Sequence, residues 1–363
     1  MVYCISILSE EDRMTKRTSM KDIARDLNVS IVTVSKALRN QKDISQATRQ
    51  RVLDRAAELN YMPNLAAQTL ATQRSYIIGF VVPDLMISFF AEISKGVSER
   101  LAPLGYHVVI AHSQEDPEIE KQEIERLLAR QIDGLLIASA QSRPDADLFQ
   151  SLETRRVPYV LVDRALPGLR SNYVGVKDEG IGELATEHLV EQGCRRIAHI
   201  RGPALPTGAG RLKGYRGALR RHGLEFSAKY VVNGQSGKHT GNLAMRELLK
   251  LEPPPDGVFC YNDAVAAGAL MAILEAGLRI PDDVAVIGAA NVHYSDVLRV
   301  PLSTIDQSSV LIGQKAADLL VRLIDAKTEP APERILIPPR LVVRESSRRK
   351  FGASQGVPVG VFA

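Results

Sequence analysis

Two periodicities divide the chain. Between Thr18 and Ala71 apolar residues recur at helical spacing, in bursts broken by single polar residues. In TSMKDIARDLNVSIVTVSKALRNQ, Thr18 or Ser19 suits a helix cap, and Ile23, Ala24 and Leu27 form one apolar face. Asn28 suits a left-handed turn position because its short amide tolerates positive φ. Val29 is placed to fill the space under that turn. Ser30 caps a second helix from Ile31 to about Leu38, with Val34, Ala37 and Leu38 inward and Ile31, Val32, Thr33 and Lys36 left outward. Small Ala24 lets two short helices cross steeply, so the segment predicts a helix-turn-helix. Ser45 caps a third helix with Val52, Ala56 and Leu59 inward and Asn60 at its end. Pro63 then breaks the chain, and Asn64 opens a short helix through Ala71. That helix has no core for Leu65 and Leu70 and is too short to persist alone in water. It is expected to be unfolded until a partner completes it.

From Tyr76 the pattern changes. Short apolar runs (YIIGFVV, HVVIAHS, GLLIAS, YVLVDR, RIAHIRG, YVVNG, GVFCYN, VAVIGA) alternate with amphipathic segments such as AEISKGVSERLAPLG, IEKQEIERLLARQ, ELATEHLVEQG and DAVAAGALMAILEAG. Strands apolar throughout, each followed by a helix, predict parallel sheets covered on both faces. About 270 residues of this pattern exceed one core and predict two doubly wound lobes. Ligands of open α/β sheets bind beyond the carboxyl ends of the strands, which points to a cleft between the lobes.

Charge sharpens this division. The net charge of +4 is unremarkable, but residues 14–75 hold eleven Lys/Arg against five Asp/Glu, leaving the remainder close to neutral. A basic head on a near-neutral body predicts a polyanionic partner for the head alone. The leading MVYCISILSEEDR is not a signal peptide by pattern, and no later run of about 20 apolar residues could cross a bilayer, so no membrane role is expected. Cys4, Cys194 and Cys260 are too far apart for a disulfide framework or a metal cluster, and fit a reducing compartment. No metal site and no cofactor are expected. TGAGRLKG offers Gly208, Gly210 and Gly214, but seven residues separate Gly208 from Ile200, where a dinucleotide fingerprint needs a tight turn. In GQSGKHTG, Gly234 and Gly237 stand too close for a phosphate-binding loop. His239 and His293 read as surface or packed residues. No catalytic residue is expected.

The stretches MKDIARDLNVSIVTVSKALRN and RVLDRAAELNYMPNLAAQTLATQRSYIIGFVVPD resemble the lactose/galactose repressor (LacI/GalR) family, and the resemblance runs along nearly the whole chain. It implies an α/β protein: a helix-turn-helix head and a periplasmic-binding-protein-like sensor of two doubly wound lobes. The implied divisions are an extension (1–17), the head (18–62), a hinge helix and linker (63–75), an N-lobe (76–174 and 307–337), a C-lobe (175–306 and 338–346) and a flexible tail (347–363). Three crossings between lobes are expected near Val174, Gln307 and Pro338. The resemblance places Ile31, Val32 and Lys36 on bases, and Ser30, Thr33 and Ser35 on phosphates. Two apolar readers fit thymine methyls and Lys36 fits guanine. Asn64, Ala67 and Leu70 of the hinge would meet DNA, with Leu70 wedged into the minor groove.

Effector contacts implied by the family fall on Phe90, Asp163, Thr207, Arg211, Asn262 and Asn291. One departure stands out: where the family carries an acidic effector-binding residue, this chain reads Gly288-Ala289-Ala290-Asn291. With Ala290 in place of the aspartate, the cleft is roomier and less acidic than usual. The implied partners are a double-stranded, palindromic operator, a small-molecule effector (sugar-like or another small metabolite) and a second copy of the chain, in the bacterial cytoplasm. The segment after Glu345 has no leucine heptad, so a tetramerising helix is not expected. Met14 is the expected natural start. A stand-alone solute-binding protein of the periplasmic type would share the body, but would need an export signal and no basic head.

Overall fold

The computed structural model describes residues 18–38, 40–41, 43–62, 74–328 and 330–349, in two units that divide after Ser75. The predicted hinge positions Asn64, Ala67 and Leu70 and the extension 1–17 lie outside the described residues.

The first unit contains α1 (Met20–Leu27), α2 (Ile31–Leu38) and α3 (Gln46–Glu58). Ser19 donates from its backbone N and its Oγ to Asp22 Oδ2, at 3.0 and 2.7 Å, fixing the start of α1. Asn28 takes the left-handed conformation (φ 53°) and ends that helix. Thr33 N donates to Ser30 Oγ at the start of α2, and Thr48 N to Ser45 Oγ at the start of α3. Ile23, Ala24, Val34, Ala37, Val52 and Ala56 make the core, with Leu27, Val29, Leu38 and Leu59 half-buried around it. Thr18 Oγ1 donates to Leu59 O at 3.1 Å and Arg55 pairs with Asp26 at 2.6 Å, so the outer helices are tied directly.

The second unit is the expected α/β body, with two six-stranded sheets. In chain order its strands are β1 (Ile77–Val82), β2 (His107–His112), β3 (Gly134–Ile137), β4 (Tyr159–Val162), β5 (Tyr173–Val176), β6 (Ile197–Arg201), β7 (Val231–Asn233), β8 (Gly257–Cys260), β9 (Ala285–Ala290), β10 (Ser303–Asp306), β11 (Arg334–Ile337) and β12 (Arg340–Val342). The N-lobe sheet runs β11-β5-β4-β3-β1-β2, all parallel. The C-lobe sheet runs β12-β10-β9-β8-β6-β7 and is parallel except for β12, antiparallel to β10. The apolar runs identified eight of these strands; β5, β10, β11 and β12 were missed. Each of the missed strands lies beside a passage between lobes. The chain passes from β5 to the C-lobe at Lys177, returns after β10 at Gln307–Ser308, and leaves β11 for β12 through Pro338–Pro339.

The body helices are α4 (Ser88–Leu101), α5 (Pro117–Ala129), α6 (Ala146–Thr154), α7 (Asp178–Glu191), α8 (Pro206–Arg221), α9 (Lys238–Leu248), α10 (Asp263–Glu275) and α11 (Ser309–Asp325). TGAGRLKG, weighed as a glycine loop, is the first half of α8. Its glycines serve packing. A Cβ on Gly214 would stand 2.0 Å from Glu179 O of α7, and one on Gly182 of α7 would stand 2.1 Å from Arg211 O of α8. The same reciprocal glycine contact joins α4 to α11 (Gly96, Gly313) and α9 to α10 (Gly241, Gly268). Residues 347–349, expected to open a flexible tail, are packed against the C-lobe, and the rest of that expected tail lies outside the described residues. Ser347 is buried, with its Oγ 2.6 Å from His188 Nε2 and donating to Ser303 Oγ at 2.7 Å, and Arg349 binds Pro281 O.

Candidate functional site: a recognition helix and a charged interlobe cleft

In the head, packing of Val34 and Ala37 turns the opposite face of α2 outward. Ile31 is 41% exposed and Val32 62%, two large apolar side chains held in water by a helix whose core is already filled. Ser30 and Thr33 share a hydroxyl contact of 2.9 Å beside them, and Ser35 lies half-buried on the same helix. Lys36 is not free: its Nζ pairs with Asp43, in the turn before α3. That hydrogen bond holds the Asp43 carboxyl below its usual range. A base contact by Lys36 would be made by an ammonium that already has this partner and keeps two further N–H donors.

In the body, the carboxyl ends of the strands of both lobes converge. Phe90 follows β1, Asp163 and Arg164 follow β4, Asp178 follows β5, Thr207 and Arg211 follow β6, Tyr261 and Asn262 follow β8, and Gln307 follows β10. Arg211 is the centre of this set. Its Nε donates to Asp178 Oδ1 at 3.0 Å, one terminal nitrogen donates to Tyr261 O at 2.6 Å, and the other to Gln307 Oε1 at 3.4 Å. The guanidinium also lies 4.5 Å from the centroid of the Tyr261 ring, and Thr207 Oγ1 meets Tyr261 Oη at 2.9 Å. Arg164 makes a two-pronged pair with Glu115 (2.7 and 2.8 Å), donates to Ser139 O, and sits 5.6 Å above Phe90. Burial pushes the Asp178 carboxyl up to about 7 against the pull of Arg211. Burial raises Asp163 as well, opposed by Arg211 and Arg164.

Four of the six sequence-derived effector positions, Phe90, Asp163, Thr207 and Arg211, thus belong to one connected cluster. Asn262 adjoins it, but its side chain is occupied as the cap of α10 (Val265 N to Oδ1, 2.8 Å) and by Ser236 O (3.0 Å). Asn291 is turned to Arg344, at 2.8 Å. Ala290 is buried at φ 139°, a backbone region that L-residues rarely adopt. Asp263, buried nearby, accepts from Thr304 Oγ1, Ser295 Oγ and Val292 N and is a structural acid. Sequence reasoning missed Arg164, Asp178, Tyr261 and Gln307. The two lobes also touch through Glu92 of α4, which accepts from His293 N of the C-lobe at 2.9 Å and, within the N-lobe, from Ser309 Oγ at 2.6 Å. Among the described residues no group of His, Cys, Asp and Glu could hold a metal, and no helix is long and apolar enough to cross a membrane.

Comparison with known proteins places both units. Residues 19–64 match the family described as bacterial regulatory proteins, lacI family, and residues 75–345 match the periplasmic binding proteins and sugar binding domain of LacI family. The chain is 35% identical over 333 residues to the HTH-type transcriptional repressor CytR of Escherichia coli (strain K12), covering 91% of this chain and 96% of that one. It is 33% identical over 332 residues to the repressor PurR of Haemophilus influenzae (strain PittEE), covering 90% and 98%. The Lac repressor dimer bound to operator and the anti-inducer ONPF is similar in structure: TM-score 0.80, 29% identity, 92% of this chain and 99% of that one. The CelR–cellobiose complex aligns with TM-score 0.68 and 34% identity over 91% of this chain and 100% of that one. The chain belongs to the LacI family of bacterial regulatory proteins and is a DNA-binding transcription regulator with a two-lobed sensor domain.

Proposed function

We propose that this regulator acts as a homodimer on a palindromic operator and that a small molecule held between its lobes sets its grip on DNA. Two copies of α2 enter successive major grooves. Ile31 and Val32 read thymine methyls, Lys36 reads guanine, and Ser30, Thr33 and Ser35 meet phosphates. Asn64, Ala67 and Leu70 complete the contact from the hinge. The exposure of Ile31 and Val32 at the start of a helix packed on a filled core carries this reading. The effector occupies the cluster of Phe90, Asp163, Thr207 and Arg211, with Asn262 and Asn291 at its margin. Relatives supply the pattern: CelR is seen with cellobiose, and the Lac repressor dimer with operator and ONPF. The protein works beside DNA in the cytoplasm and does not turn its effector over.

The test is selection of a binding site from random DNA, followed by gel shift. The selected site should be a palindrome, and affinity should fall steeply with salt as Lys/Arg–phosphate contacts release counterions. Lys36→Ala should cost about 1–3 kcal/mol and relax preference at one base per half-site. A Lys36→Ala variant weakened equally on all sequences would make Lys36 a phosphate contact, and selection of no palindrome would refute the operator reading.

A further inference from the structure

An acid stands on the reading face of the head. The single charge of α2 is Lys36, one turn beyond Val32 on the same side of the helix. The turn before α3 brings Asp43 to it. That turn is firmly built. Asn40 takes the left-handed conformation (φ 56°), Gln41 N donates to Lys36 O at 3.0 Å, and Arg49 Nη2 of α3 donates to Gln41 O at 2.7 Å and to Ile44 O at 3.4 Å. The other ion-paired acids described in the head, Asp22, Asp26 and Glu58, meet Arg25 and Arg55 of α1 and α3 instead. Both partners of the Lys36–Asp43 pair stand at the surface, with side chains 36% and 53% exposed. An exposed pair adds little to stability, so its weight lies in what this face meets.

A lone ammonium binds any phosphate and carries no sequence information. A carboxylate beside it largely cancels that generic pull and repels phosphates itself. What remains is directional: two free N–H donors on Lys36 next to the spare lone pairs of Asp43. The major-groove edge of a G·C pair is the complement of this arrangement. Guanine N7 and O6 accept, and cytosine N4, about one hydrogen-bond length from O6, donates. Resting on the major-groove placement of α2 proposed above, we infer that Asp43 is a specificity-determining residue: with Lys36 it reads one G·C pair per half-site, Lys36 donating to guanine O6 and N7 and Asp43 accepting from N4 of the paired cytosine. An A·T pair puts a donor where Lys36 needs its second acceptor, and a reversed C·G pair turns acceptors toward the carboxylate.

Asp43→Ala and Asp43→Asn in the full-length protein provide the test; the second removes the charge and preserves the shape of the turn. Gel shifts use the site selected by the parent, each base-pair substitution at the position that Lys36→Ala relaxes, and a random duplex. On the random duplex both variants should bind more tightly than the parent. Their salt dependence should steepen by about one counterion per head, as Lys36 is released to a phosphate. Asp43→Ala should gain least on the selected site, so its discrimination for G·C at that position falls about tenfold. N4-methylcytosine opposite the guanine blocks the N–H that points into the groove; it should weaken the parent about tenfold and leave Asp43→Ala unaffected. An Asp43→Ala variant that keeps the parent's discrimination, or that responds to N4-methylcytosine as the parent does, overturns the inference. So does a selected pair other than G·C at that position, or weaker binding by Asp43→Ala on every duplex. Selection of no palindrome, or a Lys36→Ala variant that relaxes no position, falls on the operator reading. The salt comparison on random duplex then still decides the role of Asp43, and equal slopes overturn it.

Discussion

Arg211→Leu is the substitution with the widest consequence. Its guanidinium is buried and serves three segments at once: Asp178 at the start of α7, the carbonyl of Tyr261, and Gln307 at the second passage between lobes. Leucine fills much of the volume but leaves Asp178 buried without its cation. Breaking a buried pair by removing one partner costs about 3–5 kcal/mol, which in a domain of this size lowers the melting midpoint by roughly 6–20 °C. The pH dependence carries the diagnosis. The Asp178 carboxyl already lies at about 7, above its unfolded value of 3.8, so it contributes a stability that declines as pH rises toward 7. Without Arg211 its pKa climbs further, so the deficit of the variant should grow as pH is raised above 7. Adding Asp178→Asn should recover part of the loss and flatten that growth, giving a double-mutant cycle well short of additive. Lysine should not restore the parent, because it lacks the planar fork. Thermal melts of the five proteins (the parent, Arg211→Leu, Asp178→Asn, their double and Arg211→Lys) between pH 6 and 9 measure all of this. A loss under about 1 kcal/mol, or an additive cycle, would refute the assignment of Arg211 as the charge that holds these segments together.

Three further outcomes are expected. Gly214→Ala places a Cβ 2.0 Å from a backbone oxygen of α7, so α7 and α8 must separate at about 1–3 kcal/mol or more; an unchanged melt would contradict the close crossing. His199 is buried, and burial holds its ring down to about 4 despite the bond to Phe259 O. The unfolded chain alone takes up this proton below 6.5, so stability should fall as pH drops from about 6.5 to about 4, and a His199 resonance titrating near 6.5 in the folded protein would contradict this. Asp43→Ala should tighten binding to all DNA sequences by freeing Lys36 and removing a negative charge beside it; weaker binding in a gel shift would show that the pair pre-positions Lys36 instead.

The α/β alternation was legible because strands such as FVV and LLI are apolar without interruption, and only a doubly covered parallel sheet uses such runs. STID of β10 mixes three polar residues into its four, and RILI of β11 carries the 54%-exposed Leu336 on an edge strand. Neither pattern exceeds background in one sequence. The helix-turn-helix was readable almost side chain by side chain, since its caps, turn and core are local. Its Lys36–Asp43 pair depends on how the turn before α3 folds, which spacing does not reveal. In the cleft, Phe90, Asp163, Thr207 and Arg211 were found through family resemblance. Arg164 and Tyr261 carried a local signal that went unused, each being a polar or aromatic residue just past an apolar strand, whereas Asp178 and Gln307 follow β5 and β10, strands the pattern did not show. What spacing could not supply is that Asp178, Tyr261 and Gln307, from three separate segments, meet at the one guanidinium of Arg211.

Those passages also set the order in which the molecule can be completed as it is synthesised. The head is finished once Tyr61 has emerged and can close its small core at once. The N-lobe cannot follow directly. It waits for α11 and β11, which are made only after nearly the whole C-lobe, and the C-lobe waits in turn for β12 and for Ser346 and Ser347 to reach Ser303. Both lobes are therefore sealed by the same last stretch of chain. A nascent chain stopped at Asp306 would present a folded DNA-binding head on two unfinished sheets with apolar faces exposed, a species prone to aggregation or proteolysis.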